Sequence, residues 1–342
     1  MENVNIGIIG LGFMGMVHLK SYKHIPGARI AAVSDAFKKP IDGKLPGVGG
    51  NITDSDAFPL EPDTKFYESW QDLIADPEID LVDICLPTAA HVEVSLAALA
   101  AGKNVVCEKP MARTSEDCRK IVEAAAASTG HFMPAMCIRF WPGWDWLKET
   151  IDQGTYGKLL AARFRRVSAA PGWSRGNYFK GGESGGALYD LHIHDTDFIQ
   201  YALGRPKSVA TTGITRFSGA IDHVVTSYEV ECGAVVTAEG SWIMTEGYPF
   251  TMVYTANFER ATAEFDISRK DETLKVYEEG KEPVVIPIGQ GDGYINELRH
   301  IVESVRSGTG PTIVTAEDGL RAVEICEAEE ASAASGQRVA LA

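Results

Sequence analysis

The sequence predicts two domains, an N-terminal α/β domain built on a parallel, doubly wound sheet and a C-terminal α+β domain with a large, mostly antiparallel open sheet. Three observations carry that expectation. Residues 1–137 alternate short apolar runs with helical patterns, the rhythm of βαβ units. A glycine turn, Gly10-Leu11-Gly12-Phe13-Met14-Gly15, joins the first apolar run to the first helical pattern. From Pro206 onward the chain becomes a succession of strand-like segments with period-two alternation.

The length of 342 residues exceeds what one core usually holds, and the division expected is 1–137 and 138–342. With 47 acidic against 32 basic residues the net charge is -15, which repels nucleic acid and anionic membranes. No apolar run is long enough to cross a bilayer, and Met1 to Asn5 lacks the basic start of a secretory signal, so the expected setting is cytoplasmic. The six cysteines are scattered without a CxxC pair, which suits reduced, buried thiols and neither a disulfide framework nor a zinc site. Cys107 reads as a small core residue, with a reactive thiolate as the alternative.

Ile6-Gly7-Ile8-Ile9 is the first strand. In the turn after it, Gly10 allows the tight bend, Gly12 lets the backbone approach a pyrophosphate, and Gly15 lets helix and strand pack closely. The helix opening at Phe13 and Met14 then offers unpaired N–H groups and a positive dipole end to phosphates. A second strand, Arg29 to Val33, ends at Asp35, twenty residues beyond Gly15. A carboxylate there accepts bonds from ribose hydroxyls and repels a 2'-phosphate, so the Rossmann reading favours NAD over NADP. A cap or loop carboxylate is the competing role for Asp35, and Lys38 and Lys39 are near enough to accommodate a 2'-phosphate.

Phe37 to Asp63 reads as a loop, with glycine and proline concentrated in residues 43–51. Tyr67 to Ala75 reads as a helix and Ile79 to Cys85 as the next parallel strand. That strand ends in Leu86-Pro87-Thr88 with His91 close behind, which puts Pro87, Thr88 and His91 at the ligand-binding edge as candidates for the nicotinamide half of the cofactor. A helix cap at Thr88 and a surface His91 compete with that role. The helix Val92 to Ala101 leads to Val105-Val106-Cys107, and Glu108-Lys109-Pro110 emerges at the same edge. Lys109 is a candidate catalytic amine there; the alternative is a surface lysine paired with Glu108.

In this order, Gly10 to Gly15, Asp35, Cys85-Leu86-Pro87-Thr88 with His91, and Glu108-Lys109-Pro110 resemble the glucose-fructose oxidoreductase, inositol dehydrogenase and MocA-like (Gfo/Idh/MocA) family. The resemblance implies NAD(P)-dependent oxidation or reduction of a sugar, a polyol or a derivative, a cis bond before Pro110, Glu108 and Lys109 among the cofactor contacts, and a similar arginine and proline at Arg139 and Pro142, with Arg139 at the substrate. It also implies pairing of subunits, as homodimer or homotetramer, through the C-terminal sheet.

A capping pattern at Thr114 to Asp117 opens another helix, and Phe132 to Cys137 is the last strand of the first domain. Trp144 and Trp146 lie at helical spacing and read as core. Trp173, in the charged segment Ala170 to Asn177, is a candidate for stacking on a sugar ring, with packing as the alternative.

Gly181 to Gly186 leads into a segment in which Asp190, His194 and Asp197, at ideal helical geometry, fall within about 60° of one another. A metal site needs further ligands that the sequence does not supply, so none is expected. The resemblance makes Asp190 the substrate-binding carboxylate and His194 the proton-transferring histidine beside Lys109. His192, where many relatives carry glycine, reads as a partly buried histidine. The strands expected after Pro206 leave one sheet face without helices to cover it, which again points to a second subunit. Two other readings stay open: transient oxidation serving elimination, epimerisation or glycoside cleavage, and a non-catalytic dinucleotide sensor.

Overall fold

The computed structural model describes residues 3–48, 56–172, 178–289 and 291–341. The chain forms two compact units, Met1–Cys137 with Asp292–Leu320, and Ile138–Gly291 with Arg321–Ala342.

The first unit is a six-stranded parallel sheet. Its strands are β1 (Val4–Ile9), β2 (Ala28–Ser34), β3 (Lys65–Tyr67), β4 (Leu81–Ile84), β5 (Asn104–Glu108) and β6 (Phe132–Ala135), in the order β3-β2-β1-β4-β5-β6. Ile6, Ile8, Val33, Val82, Ile84, Val105 and Val106 are buried, as expected for strands covered on both faces. The connecting helices are α1 (Phe13–Tyr22), α2 (Trp70–Ala75), α3 (His91–Ala100) and α4 (Ser115–Ala127). Strand order reverses at β1: the chain leaves it for β2 on one side and reaches β4 on the other. The carboxyl ends of β1 and β4 therefore flank the crevice where open α/β sheets bind ligands.

The helix expected over Tyr67 to Ala75 is instead a strand followed by α2. Lys65, Phe66 and Tyr67 pair with β2, and the Ser69 hydroxyl caps α2 by accepting a bond from the Gln71 N–H. Within the expected loop, Lys44–Leu45 and Phe58–Pro59 form a two-residue strand pair; residues 49–55 lie outside those described.

The second unit carries α5 (Trp144–Gln153) and a nine-stranded sheet. Its strands are β7 (Leu159–Ala169), β8 (Ser208–Ile214), β9 (His223–Glu229), β10 (Val235–Met244), β11 (Thr251–Phe258), β12 (Ala261–Asp266), β13 (Leu274–Glu278), β14 (Val284–Val285) and β15 (Val339–Ala340). They run β14-β13-β12-β11-β7-β10-β9-β8-β15, antiparallel except for the β7/β10 pair. The central strand β7 escapes a reading of apolar alternation because an inward position is occupied by Arg166. That guanidinium is buried and satisfied by Asp195 at 3.0 and 3.1 Å.

The inner sheet face packs an aromatic cluster in which Trp144 meets Phe164, Phe198, Tyr254 and Phe265 at centroid separations of 5.5, 4.8, 5.3 and 6.1 Å. The core reading of Trp144 agrees with this placement. On the other face Val225 and Val235 are exposed, beside half-buried Thr237, Glu239 and Arg165.

Ahead of α6 (Ile193–Leu203) lies a π-helical turn, Leu188–His192. The wider π turn changes the angular step along the segment, so the spacing of Asp190 and His194 is not that of a regular α-helix. Later the chain returns to the first unit with α7 (Gly293–Ser307), which packs on α1 and β1. The sequence reading assigned the whole of 138–342 to the second domain; an apolar face formed by Leu298, Ile301 and Val302 instead completes the first core. α8 (Ala316–Ser335) then runs from the first unit into the second.

Candidate active site

At the carboxyl edge of the parallel sheet, Gly10 has φ +94°, and a Cβ there would stand 2.6 Å from the Cys85 carbonyl oxygen. A Cβ on Gly15 would lie 2.0 Å from the Gly10 carbonyl oxygen, so this position tolerates no side chain. Gly12 is the opposite case, with nothing within 4 Å of its Cβ direction. The N-cap of α1 is Gly12 itself, which has no side chain to cap the helix. Open space at Gly12 beside the helix N-terminus fits a pyrophosphate, with Phe13 and Met14 opening the helix.

Asp35, at the end of β2, turns back onto this loop. One carboxylate oxygen accepts from the Leu11 N–H at 2.8 Å, the other from Phe37 and Lys38 N–H at 2.8 and 2.9 Å. The Lys38 amine donates to the Leu11 carbonyl at 2.7 Å, and burial lowers its pKa against the opposing pull of Asp35. Lys39 pairs instead with Glu68 at 2.6 Å. Asp35 is thus fixed at the edge where a ribose would lie.

The loop after β4 exposes Pro87, which stands as N-cap of a 3-10 turn that begins at half-buried Thr88. His91 departs from the expected role of cofactor contact. It is buried, with Nδ1 2.8 Å from the Pro110 carbonyl oxygen and Nε2 2.8 Å from that of Leu86. It therefore lies between the β4 and β5 edge loops, and as a neutral ring it donates to one of the two carbonyls. Only an imidazolium can donate both bonds, and burial opposes that charge strongly enough to hold the His91 pKa below its ordinary value.

Lys109 is half-buried at the end of β5, and its peptide bond to Pro110 is cis, as the resemblance implies. Glu108, expected among the cofactor contacts, faces inward. One carboxylate oxygen accepts from the Lys109 N–H at 3.1 Å, and the other is 3.1 Å from His18 Nε2. His18 lies on α1, fully buried, and its Nδ1 is 2.8 Å from an Asp83 oxygen that also accepts from the Tyr22 hydroxyl at 2.9 Å. Cys85 Sγ is 3.3 Å from Asp83 and 3.4 Å from His18 Nδ1.

Burial would lower the His18 pKa, but Asp83 and then Cys85 more than offset it, and the net shift is well upward. Glu108 ends below the carboxylate range despite burial, through its contact with His18 and the fields of His18, Lys109 and His91. His18, Asp83 and Cys85 bring three metal-ligating atom types within 4.8 Å. Their separations are those of direct hydrogen bonds, and burial raises the Cys85 thiol pKa far enough to keep it protonated, so the group reads as a polar network and not as an ion cage. Glu297 of α7 faces the same network; burial, then Glu108, hold its pKa well above normal. Sequence reasoning missed His18, Asp83 and Glu297. The one available signal was a histidine within an otherwise apolar helix face.

In the second unit Asp190 is half-buried within the π turn and His194 is buried in the first turn of α6. Between them His192 is fully buried, with Nε2 3.2 Å from Glu329 and 2.9 Å from the Tyr228 hydroxyl, which itself donates to Glu329 at 2.6 Å. It is thus a core histidine. Arg139, expected to bind substrate, forks onto Asp197 at 2.8 and 2.7 Å, and its side chain is 2% exposed. Its guanidinium also covers the Tyr201 ring, leaving it a structural role. Trp173 lies outside the described residues.

Residues 4–135 match the family model described as oxidoreductase family, NAD-binding Rossmann fold, and residues 144–264 match the GFO/IDH/MocA C-terminal domain. An inositol 2-dehydrogenase of Rhizobium meliloti is 27% identical over 99% of each chain. A levoglucosan dehydrogenase of Pseudarthrobacter phenanthrenivorans is 32% identical over 61% of this chain and 53% of its own length. Among solved structures, levoglucosan dehydrogenase in complex with NADH and L-sorbose superposes with a TM-score of 0.83 over the whole of both chains at 22% identity, a likeness of fold.

Proposed function

The chain belongs to the Gfo/Idh/MocA family of oxidoreductases and carries its NAD-binding Rossmann domain, and from that premise we propose that it oxidises a secondary alcohol of a sugar or polyol, with Lys109, Asp190 and His194 as its chemical residues. The observation that carries the reading is the shared carboxyl edge of β2, β1 and β5, where Asp35 follows the first, the open Gly12 turn the second and Lys109 the third. The inositol and levoglucosan dehydrogenases among its relatives support the substrate class.

Gly10, Gly12 and Gly15 with the start of α1 would hold the pyrophosphate, and Asp35 the adenosine ribose, which favours NAD. When bound, the nicotinamide supplies the hydride acceptor. His194 takes the hydroxyl proton as the carbinol C–H leaves as hydride and the C=O bond forms. Lys109 would donate a hydrogen bond to a substrate oxygen and stabilise negative charge growing on it. Asp190 accepts from a neighbouring hydroxyl and fixes the ring's orientation.

The same reading includes self-association. The outward sheet face carries Val225 and Val235 in the open, and a second copy would cover it, as homodimer or homotetramer. It also includes a cytoplasmic setting, consistent with six cysteines that are all free thiols.

A panel of inositols, hexoses and sugar acids with NAD and NADP tests the proposal. Nicotinamide reduction with a polyol or sugar, faster with NAD and abolished in Lys109→Ala, is the expected result. Undiminished turnover in Lys109→Ala overturns the assignment, and conversion of a sugar with no net nicotinamide reduction overturns the reaction.

A further inference from the structure

We propose that His18 is a permanently charged imidazolium that positions Lys109, gripping Glu108 from beneath the sheet edge and linking the dinucleotide-binding helix to the catalytic loop. The inference rests on the reading of Lys109 as catalytic.

The argument begins with the ring's surroundings. His18 has no solvent access, and each nitrogen faces a carboxylate: Nδ1 meets Asp83 at 2.8 Å and Nε2 meets Glu108 at 3.1 Å. A neutral imidazole has one proton and one lone pair, so either tautomer would set a nitrogen lone pair against a carboxylate oxygen. The imidazolium donates a hydrogen bond to Asp83 through Nδ1 and holds Glu108 by charge at 3.1 Å from Nε2, a contact outside hydrogen-bond alignment. The groups around it come from every neighbouring element: Tyr22 on α1, Asp83 and Cys85 on and after β4, Glu108 on β5 and Glu297 on α7. One buried cation stands between the Asp83 and Glu108 carboxylates, while burial and then Glu108 push the Glu297 carboxyl toward its neutral form.

Connectivity turns this arrangement into a positioning device. His18 lies on α1 only three residues beyond Gly15, the last glycine of the phosphate loop. The carboxylate it contacts belongs to the residue preceding Lys109 and also accepts the Lys109 N–H. Three links therefore join the cofactor helix to the lysine backbone: His18 to Glu108, Glu108 to the Lys109 N–H, and the peptide bond itself. His91 holds the following residue through the Pro110 carbonyl, so the loop is fixed on both sides of the lysine. His18 touches neither cofactor nor substrate in this scheme; it acts through Glu108.

The test has two arms. In 15N-histidine-labelled protein, with His18 identified by its loss in His18→Gln, both ring nitrogens are expected to stay protonated through pH 8. In steady-state kinetics, His18→Gln is expected to lower kcat by about 10- to 100-fold, the effect of a misplaced catalytic group, while KM for NAD moves far less. Glu108→Gln is expected to act through the same link, so the double variant falls no further than the worse single one. Should His18→Gln fail to fold, His18→Gln/Asp83→Asn replaces the ion pair by neutral amides and serves for the same measurements.

A His18 ring that is neutral at pH 7, an unchanged kcat in folded protein, or additive losses in the double variant would each overturn the proposal. Lys109→Ala separates this from failure of the underlying reading. If it retains turnover, Lys109 is not catalytic; if it abolishes turnover while the His18 variants keep full kcat, only the positioning role falls.

Discussion

Arg139 and Asp197 form a two-pronged ion pair at 2.8 and 2.7 Å with both side chains all but closed to solvent. Removing either partner strands a buried charge, at a cost of about 3–5 kcal/mol. Arg139→Met is therefore expected to unfold at markedly lower urea concentration. In the protein that remains folded, KM for the sugar should change little; a large rise in KM at unaltered stability would restore Arg139 to the substrate site.

Gly12 and Gly15 should separate binding from folding. Gly15→Ala drives a Cβ to 2.0 Å from a backbone oxygen, so loss of soluble protein or a steep fall in Tm is expected. Gly12→Val places its side chain in open space and should leave Tm nearly unchanged while weakening NADH binding by about tenfold or more, one steric contact being worth 1.4 kcal/mol at that ratio. Fluorescence titration beside thermal denaturation measures both. Equal NADH affinity in Gly12→Val would remove the phosphate from this loop.

His91 gives the acid side of the stability curve a definite sign. Its folded pKa is lowered, chiefly by burial, from the ordinary value of 6.5. Above pH 6.5 both folded and unfolded chains leave it neutral. As pH falls below 6.5 the unfolded chain takes up a proton that the folded chain resists, and stability declines until the folded pKa is reached. His300, also lowered by burial, adds to the decline. His18 runs the other way: its raised pKa contributes stability that is complete below 6.5 and disappears as pH rises through the folded value. Tm measured from pH 8 to pH 5 should fall less steeply in His91→Gln than in wild type.

Val225 lies opposite Glu239 in the β9/β10 ladder, on the exposed sheet face. Val225→Glu sets two like charges side by side, unfavourable on a strand pair but tolerable in water. The substitution is expected to leave the fold intact and to yield a monomer by light scattering where wild type gives a dimer or tetramer. A wild-type monomer at micromolar concentration would dismiss the association.

Much of the edge chemistry was legible because its determinants are local. Gly10 to Gly15 form a continuous motif, Asp35 closes the next strand, and Val105 and Val106 announce a buried strand immediately before Lys109. The polar network beneath them was not legible, because His18 and Asp83 are 65 positions apart and nothing at either site names its partner. β7 was missed for a related reason. Arg166 breaks its apolar alternation, and its compensating Asp195 lies 29 positions later. At Asp190 and His194 the residue types were readable but the helical phase was not, since a π turn is set by packing and has no sequence period of its own.

Because residues 292–320 return to complete the first unit and 321–342 go back to the second, neither unit is a contiguous stretch of chain. A protein cut at Cys137 would retain every glycine, Asp35 and Lys109, yet would lack α7 and leave part of the α1 and β1 surface bare. The two halves cannot be exchanged between relatives by one crossover. Swapping a cofactor domain here takes three junctions, at 137/138, 291/292 and 320/321, and a chimera made at the first alone is expected to be insoluble.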